Sequence, residues 1–400
     1  MSRVFRLMGM LPVGYYDLTV AGLPVHATAF RPVTGPALLA NPFRVFTSLL
    51  RLDLLEPATR RLAQDTLARR DIFSPTTRYF LGLAEAQGGL RPDEAKDFVE
   101  ASLDTFKWHL QSKVGVHEYA LLQHASPLAA DVVSFAGPHI NHLTPAVLDI
   151  DAVQDGMIAR GIPPKSIIEG PPHRACGLLL RQTSFMALTE RVLFVDEATH
   201  LTPCSQGQHR ARFGEVEQRG AALTPKGREL FEQCFRRARE TPVEGGSPKS
   251  PAGPTHVAAG AKTNAVNDAH QKHLGRFFGP DSFPDDWETL RAEGLVYVKY
   301  SLSPSPGQLA APNSSATVDD LVASGHVYYQ AITYEDFLPA SAAGIFSSNL
   351  GGDAVVVEGK PDQAAFEEAL GGKVQDSHDL YSKEERDSIA AVRTQLGLLK

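Results

Sequence analysis

Apolar and polar positions follow two different periods along this 400-residue chain, and the changes of period divide it. Residues 15–31, "YYDLTVAGLPVHATAFR", alternate in strand fashion about a Gly22-Leu23-Pro24 turn and predict a β-hairpin. Before them, "MSRVFRLMGMLPVG" reads as the end of a helix running into a strand; its polar and glycine interruptions leave no signal-peptide core. Residues 41–125 turn helical in period. "NPFRVFTSLLRLDLL" carries an amphipathic face, "PTTRYFLGLAEAQGG" stops at a glycine pair, and "RPDEAKDFVEASLDTFKWHL" starts with acidic first-turn residues.

From Val132 the pattern shortens again. "VVSFAGPHINHLTPAVLDIDAV" predicts strand, turn and strand, and "DIDAVQDGMIARGIP" a helix stopping at Gly161. "KSIIEGPP", "GLLLRQTSFMAL" and "ARFGEVEQRG" then read as strands, so the stretch has the plan of a βαβββ module. "TPKGRELFEQCFRRARE" is a helix with a Thr-Pro start. Residues 241–264 are rich in Pro, Gly, Ser and Ala without periodicity and predict a flexible surface insertion; 303–317 is similar. The small residues of "ITYEDFLPASAAGIFSSNLGG" let backbone approach backbone or ligand closely. The expected fold is α+β, divided into an N-terminal strand segment (1–40), a helical insertion (41–130), a βαβββ core (131–240), the flexible insertion, and a C-terminal segment (265–400) completing the pocket.

Composition narrows the class. Hydrophobic residues at 43% and charged residues at 21% are ordinary for a globular chain. A net charge of −7, from 39 basic and 46 acidic side chains, argues against nucleic acid as a main partner. No apolar run approaches the roughly 20 residues of a membrane span. Cys176, Cys204 and Cys234 are too widely spaced for a disulfide framework or a thiolate zinc site. A cytoplasmic location is the default expectation, and oligomeric state is left open.

Candidate metal donors fall on short strand-like segments: His26, His139 and His142 in "HINHLTP", and Glu215 or Glu217 in "FGEVEQR". On a strand, 139 and 142 face opposite sides, so one of them at most points at a given site, whereas 215 and 217 share a face. Two imidazoles and a carboxylate on one side of an octahedral ion leave three positions open, the arrangement of Fe(II) oxygenases that chelate a 2-oxo acid. Zinc fits the same donors without redox chemistry. The remaining histidines have no ligand-like partner, and packed or surface roles explain them.

"NPFRVFTSLLRLDLL", "GPHINHLTPAVLDID", "IIEGPPHRACGLLLRQTSF", "ARFGEVEQRGAALTPKGRELF" and "YEDFLPASAAGIFSSNLG", in this order, resemble the 2-oxoadipate dioxygenase/decarboxylase family, some of whose members are called hydroxyglutarate synthases. The resemblance runs from about Phe5 to the C-terminus, apart from the low-complexity insertion. It implies a vicinal-oxygen-chelate-like fold, a βαβββ mixed sheet around a metal site with a large helical insertion. "FGEVEQR" is similar to the metal strand of the hydroxyphenylpyruvate dioxygenases. On that resemblance the donors to Fe(II) are His26, His142 and Glu215. The implied reaction converts 2-oxoadipate and O2 to 2-hydroxyglutarate and CO2, a step of lysine breakdown. The substrate supplies its own 2-oxo acid.

A substrate with a carboxylate at each end needs a cation at the end far from the metal. Arg31 is the first choice, because a guanidinium grips a carboxylate through two parallel hydrogen bonds. Its odd spacing from His26 requires a bend before Pro32 to bring the two to one site. Ser341 is the second catalytic candidate, able to donate to either end of the substrate. Arg181 and Gln182 interrupt an apolar strand and are expected to line the pocket. Ala340 stands where the family has a bulkier valine, widening it slightly. Family members carry a helical segment before the counterpart of "VFRLMGM", almost where this sequence starts. That leaves as expectations a truncated gene model or an open pocket wall, with a non-redox glyoxalase-type isomerase or lyase, or an inactive metal-binding homologue, as alternatives.

Overall fold

The computed structural model describes residues 1–19, 22–138, 140–143, 145–185, 188–212, 214–241, 261–304, 312–313, 315–338 and 360–398, with the side chains of 140–143, 188, 210–212 and 261–264 left out. Most of the 241–264 insertion lies outside these residues, as do Ala340 and Ser341.

The chain opens with α1 (Ser2–Leu7) and an antiparallel hairpin of β1 (Leu11–Asp17) and β2 (Val25–Arg31). After α2 (Gly35–Ala40) comes β3 (Val45–Leu50), which pairs with β2 in unbroken register from Val25–Leu50 to Phe30–Val45. Alternation therefore holds along all of β2. Val25, Ala27 and Ala29 face a core of Tyr16, Phe46, Leu128, Val132 and Phe337. Phe30, on the other face, packs on Phe5 and Met10.

Five helices follow: α3 (Pro57–Ala68), α4 (Pro75–Gln87), α5 (Pro92–Phe106), α6 (Val116–Ala125) and α7 (Pro127–Ser134). Four of the five start on Pro, whose fixed φ and missing N–H suit the first helical position. Two expectations need correction here. "NPFRVFTSLLRLDLL" is not a helix; it holds β3 and one 3-10 turn at Leu52–Leu54. Apolar residues at 45, 46, 49 and 50 satisfy a helical stripe as well as a strand, and pairing with β2 decides between them. Conversely, "VVS" of "VVSF" belongs to α7 rather than to a strand.

β4 (Ile140–Leu143) pairs with β3, giving a sheet in the order β1-β2-β3-β4. Leu143 pairs with Val45 and Asn141 with Phe46, so His142 is the extra residue of a β-bulge. Then come α8 (Ile150–Ala159), β5 (Leu180–Ser184), β6 (Leu188–Val195), β7 (Pro203–Arg212), β8 (Glu215–Arg219) and α9 (Pro225–Glu240). The strand–helix–strands order is the one expected, with one strand more. The pairing differs: β5 joins β8 and β6 joins β7, as separate antiparallel ladders. "KSIIEGPP" contributes only the isolated bridge of Glu169 to Gln182.

A short parallel bridge connects these ladders to the first sheet. Beyond β4, the Val147 N–H donates to the Glu217 carbonyl at 2.7 Å and the Glu217 N–H to the Pro145 carbonyl at 3.2 Å. β8 thus runs beside the chain leaving β4. At its far end, a Cβ on Gly220 would fall 2.4 Å from the Gly177 carbonyl carbon, so only glycine permits this crossing.

The C-terminal part adds α10 (Ala261–Gly275), α11 (Trp287–Ala292), β9 (Val298–Leu302), α12 (Val318–Ala323), β10 (Val327–Ala331), α13 (Gln363–Leu370) and α14 (Ser377–Gln395). β9 and β10 form a third two-stranded ladder. It shares the largest apolar core with Leu178–Leu180, Ala221–Leu223, Phe231 and Tyr381. The architecture is mixed α+β.

Candidate active site

Ionised side chains are rarely buried unless paired, and here several meet on one face of the first sheet. Arg31, at the end of β2, is 3% exposed. Its Nε and Nη2 donate to the two Asp336 carboxylate oxygens at 2.8 and 3.0 Å. Burial works against the Arg31 charge, but Asp336 more than offsets it and raises the guanidinium pKa. Tyr381 of α14 donates to the same carboxylate at 2.5 Å. Burial, then the Asp336 charge, lifts the Tyr381 pKa far above the usual phenol value.

Arg44, just before β3, is 1% exposed and makes three contacts. Nη1 donates to the Asp336 carbonyl at 2.7 Å, Nη2 donates to Glu217 Oε2, and the guanidinium lies 4.0 Å from the Phe337 ring centroid. Glu217 is fully buried and accepts on its other oxygen from Arg219 Nε at 2.6 Å. Arg219 continues to Glu335 at 2.6 Å. Burial raises the Glu335 pKa, and Arg219 pulls it back only in part. Three guanidiniums thus meet three carboxylates.

The segment Tyr334–Leu338 is the common partner. Beyond the Arg31, Arg44 and Tyr381 contacts, the Glu335 N–H donates to Tyr381 Oη at 2.8 Å and the Phe337 N–H to Tyr16 Oη at 3.2 Å. Tyr334 Oη donates to the Phe337 carbonyl at 2.9 Å. A cavity of about 410 Å³ borders this segment, lined in part by Tyr16, Arg228, Tyr334, Phe337 and His378.

Glu215 stands two residues before Glu217 on β8, opposite Ser184 of β5, and is 8% exposed. Gln182 lies opposite Glu217, so strand alternation puts Gln182, Ser184, Glu215 and Glu217 on one face. Arg181 faces the other way. It forms an ion pair with Asp151 of α8 at 2.6 and 3.1 Å and donates to Gln271 at 3.2 Å. The structure therefore brings Gln182 to the Glu215 face and holds Arg181 behind the sheet.

His26 is the other residue set apart. β2 stays regular through Arg31, without the bend that would bring both to one side, so His26 and Arg31 face opposite ways. His26 packs edge-on against Phe366 of α13 (centroids 4.8 Å apart) and Tyr15 (5.9 Å). Burial, reinforced by the Arg51 charge, lowers its pKa to about 4. Arg44 and Phe337 place Glu217 and Glu215 on the Arg31 side. His26 therefore lies on the face opposite Glu215, the His142 side chain falls outside the described residues, and among the described residues no group of three or more His, Cys, Asp or Glu side chains is set to hold a metal. His142 lies on the bulge of β4, and His139, Ala340 and Ser341 fall outside the described residues.

Sequence reasoning passed over Arg44, Arg219, Asp336 and Tyr381. An arginine inside "NPFRVF" was the available signal, since a charge within an apolar strand must be paired to be buried.

The comparisons with known proteins agree with one another. The 2-oxoadipate dioxygenase/decarboxylase family profile matches residues 1–349. The chain is 47% identical over 402 residues to a Pseudomonas putida protein named 2-oxoadipate dioxygenase/decarboxylase, covering 99% of this chain and 81% of the relative. It is 46% identical over 391 residues to the Escherichia coli protein of the same name, covering 97% and 80%. The crystal structure of the P. putida hydroxyglutarate synthase in complex with 2-oxoadipate matches with a TM-score of 0.82 at 45% identity, over 99% of this chain and 82% of that one. This chain belongs to the 2-oxoadipate dioxygenase/decarboxylase family.

Proposed function

We propose that this chain is an oxidoreductase converting 2-oxoadipate and O2 to 2-hydroxyglutarate and CO2. The observation that carries the reading is the match, over 99% of the chain, to a hydroxyglutarate synthase whose structure holds 2-oxoadipate. The atoms balance: the six carbons of the oxo acid leave as a five-carbon hydroxy acid and CO2, and both atoms of O2 enter the products.

Dioxygen chemistry of this kind calls for a redox metal, and Fe(II) is the ion we assign to it. Glu215 and the bulged His142 are the proposed protein donors, on β8 and on the strand whose continuation pairs with it. His26 is left out, because it faces the opposite side of the sheet. With that set incomplete, the chemistry assigned to the chain's own residues is binding and positioning. Gln182 shares the Glu215 face and is proposed to line the pocket. Ser341 and Ala340, which follow the fixed segment Tyr334–Leu338, are proposed to meet the substrate beside it. Arg31 is engaged by Asp336, so a grip on the substrate's far carboxylate requires that pair to open.

The test is turnover of 2-oxoadipate with and without O2 after anaerobic addition of Fe(II), following oxygen uptake and 2-hydroxyglutarate. Product requiring both iron and O2, and lost in Glu215→Ala and His142→Ala, is the expected result. Product formed without O2 would replace this reading with a non-redox isomerase or lyase. Iron binding without any oxygen uptake would move the search to another substrate.

A further inference from the structure

We propose that Arg44 is a positioning residue of this site: it sets the Glu215 strand against the Tyr334–Leu338 segment. The inference rests on the function proposed above for its kinetic arm only. A buried ion pair is expensive, and well-packed apolar residues replacing both of its partners are commonly neutral or stabilising. Arg44 is nonetheless among the largest fully buried side chains of the protein. Its three contacts explain what an apolar residue would not do. One planar group, fixed at the start of β3, holds the Asp336 carbonyl, the Glu217 carboxylate and the Phe337 ring at once.

Glu217 passes this constraint along β8. Its two oxygens are taken by different arginines, and Arg219 returns through Glu335 to the segment Arg44 also holds. The path from Asp336 through Arg44, Glu217, Arg219 and Glu335 is a closed ring. Glu215 sits two residues from Glu217 on the same face, roughly 7 Å along the strand. A shift of the ring therefore moves Glu215 relative to the segment that leads to Ser341. Lysine, a single point charge, cannot reproduce the forked geometry.

The experiment compares wild type, Arg44→Lys, Arg44→Met and Glu217→Gln, with Arg78→Ala as a surface control. Backbone amide exchange is measured in all five, and kcat and KM for 2-oxoadipate with Fe(II) and O2 beside it. Exchange is expected to quicken at 215–219 and 334–338 in the three core variants, while 11–17 and 25–31 keep wild-type protection. In the same variants kcat is expected to fall about 10–100-fold with KM changed less than about threefold, the signature of a misplaced site rather than lost binding. Lysine should lose less than methionine. Unchanged exchange at 215–219 in Arg44→Met, or quickening spread evenly over 11–31 as well, overturns the proposal. A wild type that does not turn over 2-oxoadipate sinks the proposed function, and the exchange comparison still decides the role of Arg44.

Discussion

Arg31 and Asp336, 305 residues apart in sequence, meet through two parallel hydrogen bonds with both side chains at most 3% exposed. Removing one partner of such a pair strands a buried charge, which typically costs about 3–5 kcal/mol. Arg31→Met and Asp336→Leu should each destabilise by that order in urea denaturation. The double variant should recover most of the loss. Single variants near wild-type stability would mean that water or another group reaches the stranded charge.

Arg181 offers the contrasting case. Its carboxylate partner Asp151 is 40% exposed, which weakens the pair by solvent screening. Arg181→Gln should cost about 1 kcal/mol and leave the KM for 2-oxoadipate within about twofold, since Arg181 faces away from Glu215. A large rise in KM would put Arg181 in the substrate pocket after all.

His26 makes stability depend on pH in a definite direction. Its folded pKa, about 4, lies below the ordinary 6.5, so the unfolded chain binds the proton more tightly. The stability it protects is complete above pH 6.5, falls as pH drops from 6.5 to about 4, and levels off below. The loss is at most about 3 kcal/mol. His26→Phe, compared with wild type by urea denaturation at pH 7 and pH 4.5 in chelator, should lose less stability on acidification. Equal losses would show that His26 is neither buried nor cation-flanked in solution.

The cysteines should react in a fixed order. Cys204 is exposed, whereas Cys176 and Cys234 are buried. Burial, then the nearby Asp285 charge, pushes the Cys176 thiol up to about 11, and burial raises Cys234 as well. Since the thiolate is the nucleophile, iodoacetamide at pH 8 should label Cys204 first, with the other two following only in urea. Rapid labelling of Cys176 in the native chain would contradict its placement.

Local pattern made much of this architecture legible, and distance hid the rest. Alternation in "VHATAFR" already put His26 and Arg31 on opposite faces, and β2 keeps that alternation to its end. Alternation also separates Arg181 from Gln182. β3 is not legible locally because its apolar positions satisfy both periods, so only its neighbours choose between them. The pairing of Arg44 with Glu217 and of Arg31 with Asp336 left no local trace. Those partners lie 173 and 305 residues away, and nothing in a short window names them.

That separation also has a meaning in time. A ribosome adding roughly 5–20 residues per second needs about 15–60 seconds to pass from Arg31 to Asp336. For most of that interval the strands β1, β2 and β3 are already synthesised, while Arg31 awaits the Asp336 carboxylate and Arg44 the Asp336 carbonyl. The closing of these contacts is therefore a late event on the nascent chain, set by the arrival of "YEDF" rather than by the sheet itself.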